Sequence, residues 1–226
     1  MGQTEVKEIT QRDAGWKYLL LALGAFAGLG MEALYAFGIE PLIYGLPMKN
    51  FTTMQTLLHW ILTCATWGIV TYILIYLAKK KNNFDILEKR KKLKGWQWIV
   101  AVAFVIFSFI VSYISWNGFK VVKEFQANGL LKFIFQYIYY LFETLLFMLI
   151  IVFGQKAFEI WTKKKNVPWG GILCSITWGL GHILSKGNLS IGLLAALSGF
   201  MFGAVYLLVN RDIKKTYFFL YLMFVL

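Results

Sequence analysis

The chain has 226 residues, of which 59% are hydrophobic and only 15% charged, with a mean hydropathy of +0.62. A soluble domain of this length cannot hide so much apolar surface, so the composition excludes one and predicts a polytopic protein embedded in the lipid bilayer. The net charge of +12 does not point to nucleic acid, because the Lys and Arg residues lie between apolar runs, where anionic headgroups and the positive-inside rule place them.

Met1 to Lys17 is mixed in charge and leads into an apolar run too long for a signal-peptide core, with no small-residue cleavage site close behind. It reads as a retained first span. That span covers about Tyr18 to Ile39, is interrupted by Glu32, and carries Gly24 and Gly28 at the spacing that admits a close helix neighbour. Glu40 to Phe51, with two prolines and few charges, reads as an external loop. The second span runs from about Thr53 to Ala78, with Cys64 inside it and His59 in its first turns, where an interfacial position is expected.

The segment Lys79 to Lys94 holds eight Lys or Arg against Asp85 and Glu88, and reads as cytoplasmic. A third span covers about Trp96 to Trp116, and Lys120 to Gly129 reads as a mildly polar external loop. The fourth helix, Leu130 to Trp161, spans 32 residues, roughly 48 Å at the helical rise, longer than the bilayer core requires. Near its end Gln155 and Glu159 lie one turn apart, and an interfacial ion pair with Lys156 or Lys163 is expected.

Lys163, Lys164 and Lys165 mark a second basic loop. A short fifth span runs from Pro168 to Leu184 and includes Cys174; a sixth covers about Leu189 to Val209, with Gly199 and Gly203 as a second close-packing pair. Arg211, Lys214 and Lys215 supply a third basic loop. The final run, Thr216 to Leu226, has 11 residues, too few to cross as a helix, and is expected to re-enter or lie in the interface. The two cysteines, both inside spans, read as core packing.

The fold class this predicts is an all-α polytopic transmembrane bundle of about six spans plus a short C-terminal helix, forming a single integral membrane domain over residues 1–226. The three basic loops fall on one side if every run crosses once. That places the N-terminus in the cytoplasm, with a bacterial plasma membrane as the expected setting.

Charged and titratable side chains inside apolar runs are where chemistry is expected, because an unpartnered polar group in hydrocarbon costs several kcal/mol. Glu143 and His182 are the leading pair, on neighbouring spans. Glu32 and His59 are also intramembrane, and the four together have the ligand types that a divalent metal such as zinc accepts. The same residues admit plainer roles: a structural Glu143–His182 hydrogen bond, a Glu32 bonded to a tyrosine or a carbonyl, and Tyr137, Tyr139, Tyr140 and Phe142 as lipid contacts or packing.

The string TWGLGHIL, with Trp178 four residues before His182, resembles the FxxxH motif of the CPBP intramembrane proteases, the CAAX-protease and bacteriocin-processing group also called Abi. Residues Glu143 to Met148 line up with the family's EExxxR motif, with Thr144 in place of the second Glu and Met148 in place of the Arg. From Gly199, GFMFGAVYLLVNRDI is similar to the family's pattern of spaced glycines, an aromatic and a polar turn, but the final run holds neither the His nor the Asn that the family carries there. The resemblance covers residues 130–226, leaving 1–129 as additional N-terminal helices.

It implies an intramembrane endopeptidase acting on a peptide or membrane-protein substrate, with Glu143 activating water and His182 orienting it or stabilising the oxyanion. Tyr221, in the final run, is a candidate replacement oxyanion donor. The alternatives are an inactive relative serving as a bacteriocin-immunity or partner-binding protein, and a small proton-coupled transporter in which Glu32, Glu143 and His182 form the path.

Overall fold

The structure, a computed structural model, describes the backbone of residues 3–226 and side chains from residue 13 onward, so the start of the mixed-charge stretch Met1 to Lys17 lies outside the described residues. Among them there is no strand, and the described residues form a bundle of seven helices. Helix α1 covers residues 3–44, an α-helix over Gln3–Leu34 continued through a wide π-turn at Tyr35–Ile39 into Glu40–Tyr44. Then follow α2 (Thr53–Asn82), α3 (Gly95–Ser115) and α4 (Lys120–Thr162). Helix α5 covers residues 169–186, with a second π-turn at Ser175–Gly179, and α6 (Leu189–Leu208) and α7 (Ile213–Val225) complete the chain.

Five helices are long and apolar enough to cross a membrane: the 13–44 part of α1, and α2, α3, α4 and α6. The fifth expected span is helical as α5 but is not among them. Two expected loops are corrected. Glu40 to Tyr44 extends α1, since Pro41 follows directly on the π-turn, where the regular hydrogen-bond ladder is already interrupted, and the helix ends only at Gly45, in the left-handed region at φ +69°. Lys120 to Asn128 is likewise helical, set off from the rest of α4 by Gly129 at φ +67°. The triplets Asn50-Phe51-Thr52 and Asn188-Leu189-Ser190 sit at helix starts, where Thr52 accepts from the Gln55 N–H and Asn188 from the Ile191 N–H.

Helix α4 is apolar around its whole circumference from Leu146 to Phe153, and those eight residues are all buried; a helix of that pattern belongs at the centre of a bundle. Helix α1 packs along it, and α2 packs closely on α1. A Cβ at Gly28 would meet Val70 at 2.8 Å and one at Gly24 would meet Leu74 at 3.2 Å, and the Trp67 indole donates to the Gly28 carbonyl at 2.9 Å. Helix α5 lies between α4 and α6, where Gly199 abuts the Ser175 backbone and Gly203 the Gly171 backbone. Helix α3 is peripheral, with only Gln97 and Ala101 buried. Helix α7 packs against α3 and α4, burying Thr216, Phe219, Leu220 and Met223.

The three basic loops meet at one end of the bundle. Asn210 donates to the Lys91 and Lys92 carbonyls at 3.3 and 3.4 Å. The Arg211 guanidinium bonds Glu159 at 2.6 Å and the Lys165 carbonyl at 2.8 Å, so the partner of Glu159 is Arg211 rather than Lys156 or Lys163. Lys156 instead lies over the rings of Tyr18 and Phe84.

Gln155 ties this end together: its amide donates to Glu159 and to the Val167 carbonyl, and its oxygen accepts from the Gly170 N–H at 3.0 Å. Gln155→Leu leaves the Gly170 N–H unpaired in the interior, while the Val167 carbonyl keeps its bond from the Trp169 N–H, and is expected to cost about 1–3 kcal/mol, measured by equilibrium unfolding in mixed micelles. At the start of α7, Asp212 caps the helix by accepting from the Lys215 N–H and pairs with the Lys215 ammonium. Desolvation pushes its carboxyl up, but the Lys215 bonds outweigh it and hold it below the usual carboxylate range. A carboxyl depressed in the folded state contributes stability above its unfolded pKa and loses it as pH falls through the folded value. Asp212→Ala is therefore expected to lower stability by about 1 kcal/mol at neutral pH and by less in acid, read from melting curves at both.

Candidate functional site

Two acidic centres lie in the half of the bundle away from the basic loops. On α4, Glu143 stands sixteen residues from Glu159, about 24 Å along the axis. Its Oε1 accepts from the Trp178 indole N–H at 3.0 Å. Trp178 belongs to the π-turn of α5, and its ring is fixed by Phe147, Phe202 and Phe224, with centroids 4.9, 5.9 and 5.7 Å away.

His182, one turn on, stacks edge to face on the same indole at 4.6 Å, and its Nδ1 bonds the Trp178 carbonyl at 2.8 Å. A carbonyl only accepts, so Nδ1 carries the proton, and in the neutral ring Nε2 is an acceptor. Among the described residues, Glu143 Oε2 and His182 Nε2 have no hydrogen-bond partner, and neither is among the sealed-off orphan atoms. The expected direct pair is therefore replaced by a shared indole: one end of Trp178 holds the carboxylate and its backbone holds the imidazole. Lys186, Lys120 and Glu32 are the charges that act on Glu143.

The second centre was only half legible in the sequence. His59, in the second turn of α2, is fully buried within the bundle. Its Nδ1 lies 2.7 Å from Glu40 Oε2, while its Nε2 lies 3.9 Å from Glu32 Oε1 and has no hydrogen-bond partner. Residues eight apart on a regular α-helix differ by about 80° around the axis, and seven apart by only about 20°. The extra residue of the π-turn at Tyr35–Ile39 turns the eight-residue spacing of Glu32 and Glu40 into an effective seven. Both carboxylates thus face α2. Tyr139, on α4, lies against Trp67 at 4.7 Å and faces both Glu32 and Glu143.

The remaining candidates are engaged locally. Thr144 is buried and donates to the Tyr140 carbonyl at 2.7 Å. The Tyr221 hydroxyl donates to the Tyr137 carbonyl at 3.4 Å and that of Tyr217 to the Leu141 carbonyl at 3.1 Å, which turns both toward the α4 backbone. Tyr137 and Tyr140, read as packing residues, also donate to a buried carboxylate, Glu124, at 3.0 and 2.7 Å, and Gln136 joins them at 3.1 Å. Glu124 is not legible in the sequence, where Lys120 to Gly129 reads as an external loop.

The four candidate metal ligands divide between the two centres. Among the described residues, no three His, Cys, Asp or Glu side chains are gathered for a metal ion. No family model, curated protein or solved structure matches the chain.

Proposed function

We propose that this chain is a CPBP-like intramembrane endopeptidase that cleaves a peptide or membrane-associated substrate with water activated by Glu143. The observation that supports it most is the Glu143–Trp178–His182 arrangement, in which a carboxylate and an imidazole held by one indole each keep one acceptor atom unengaged. Glu143 Oε2 takes a proton from water as the water oxygen bonds to the scissile carbonyl carbon. The same proton then passes to the leaving amine as the C–N bond breaks. His182 Nε2, an acceptor in the neutral ring, orients the water through its second hydrogen. The basic loops face the cytoplasm by the positive-inside rule, which opens the Glu143 half of the bundle toward the other face.

The test is cleavage of a proteome-derived peptide library by proteoliposomes, with new termini identified by mass spectrometry. Cleavage that requires Glu143 supports the reading; a wild-type protein that generates no new termini overturns it.

A second reading, a non-catalytic relative that binds a partner, draws on α7. Where the family carries its last His and Asn, Phe224 packs on Trp178 and Phe147. A partner retained stoichiometrically by both wild type and Glu143→Gln, with no turnover, is the outcome that favours it. Ion flux abolished by Glu143→Gln would instead favour a proton-coupled transporter.

A further inference from the structure

We infer that the second centre is a divalent transition-metal site, with His59 Nε2 and Glu32 as its protein ligands and Glu40 as the group that orients the histidine. It is separate from the Glu143 site and stands whether or not the hydrolase reading does. The first support is the histidine itself. A metal-bound imidazole characteristically gives its other ring N–H to a carboxylate, which fixes the tautomer and aims the ligating nitrogen. His59 does this through Glu40 at 2.7 Å, and the nitrogen left over is sealed from solvent without a partner.

The second support is spacing. Two ligands on one tetrahedral ion at about 2.1 Å each are separated by about 3.4 Å. His59 Nε2 and Glu32 Oε1 are 3.9 Å apart, so a side-chain movement of about half an ångström brings both into the coordination shell.

The third support is charge. Glu32 and Glu40 both face the His59 imidazole, and among the described residues neither pairs with a Lys or Arg. A divalent ion cancels the two negative charges in a place where burying them uncompensated is costly.

The surroundings fit an ion that completes its shell with water and hydroxyls. Thr63, one turn after His59 on α2, is fully buried and its hydroxyl has no partner. The antiparallel register set by Gly28 against Val70 and Trp67 brings it level with Glu32. The Glu32 side chain is 36% exposed against 0% for His59, so an ion enters past the carboxylate. With one imidazole, one carboxylate and open positions, the donor set suits Zn2+ and Co2+ rather than Ca2+ or Mg2+.

The test uses the full-length, tag-free protein in detergent, stripped with chelator and titrated with Co2+, with visible absorption and elemental analysis as readouts. One Co2+ per chain, displaced by Zn2+, is expected. Glu32→Gln and His59→Ala should each weaken binding at least 100-fold, and Glu40→Gln 10- to 100-fold. Less than one equivalent bound by wild type overturns the assignment. So does binding that survives Glu32→Gln, a variant at the half-exposed side of the site that tests the assignment even if His59→Ala does not fold.

Discussion

Glu143→Gln is expected to lower peptide cleavage in proteoliposomes by a factor of 10² to 10⁴, the usual contribution of a positioned general base, with the melting temperature nearly unchanged. The amide is isosteric with the carboxylate, and its oxygen can still accept the indole N–H that holds Glu143 at 3.0 Å. What it loses is the second acceptor, which takes the proton from water. Trp178→Phe keeps the ring that packs on Phe147, Phe202 and Phe224 but deletes that N–H. Its loss of activity should be partial, about 10-fold, because the carboxylate remains but is no longer held in place. In the double variant the second change should add little, since an indole that positions Glu143 has nothing to position once the base is gone. Steady-state rates for the four proteins form the cycle, and fully additive losses would remove Trp178 from the site.

Gly170→Ala should produce the largest loss of stability in the chain. A Cβ there would lie 2.0 Å from the Ile151 carbonyl oxygen and 2.7 Å from its carbon. Those are backbone atoms of the central helix, so no rotamer change relieves the clash, and α5 must move away from α4. Movement would also break the bond from the Gly170 N–H to Gln155. A destabilisation of about 3–5 kcal/mol is expected. The control is Gly181→Ala on the same helix. Nothing lies within 4 Å of its Cβ, so the higher helix propensity of alanine should leave stability equal or slightly raised. Thermal melts of the two purified variants separate the cases.

What was legible in the sequence follows from which forces are local. Hydropathy over twenty-residue windows located the helices, and charge placed the basic loops together, because both are properties of the segment itself. The glycine pairs at Gly24 and Gly28 and at Gly199 and Gly203 were readable for the same reason. The C-terminal run was recognised as too short to cross, and its sequence could not say that its Phe219 and Leu220 face would be covered by α3 and α4.

The losses came from interrupted regularity. Pro41 and Pro47 suggest a loop, yet α1 continues past Pro41 because the preceding π-turn already interrupts the regular ladder there. Glu40 was lost with that loop, and with it the partner that holds His59 inside the bundle. The two π-turns have no sequence signature, and each one re-registers a helix face by a residue. They put Glu40 beside Glu32, and they place the Trp178 indole where a direct Glu143–His182 contact had been expected. Motif spacing singled out Glu143, Trp178 and His182, which the structure brings together, but could not order them, because spacing along a chain does not report which ring lies between two others.

The most direct test of the proposed chemistry is hydrolysis of a library-derived peptide by proteoliposomes in water enriched in oxygen-18. The account predicts that wild type places one heavy oxygen in each newly formed carboxylate and that Glu143→Gln, folded to the same melting temperature, forms at least 100-fold less of that product. Equal product from both proteins, or none from wild type, would contradict it.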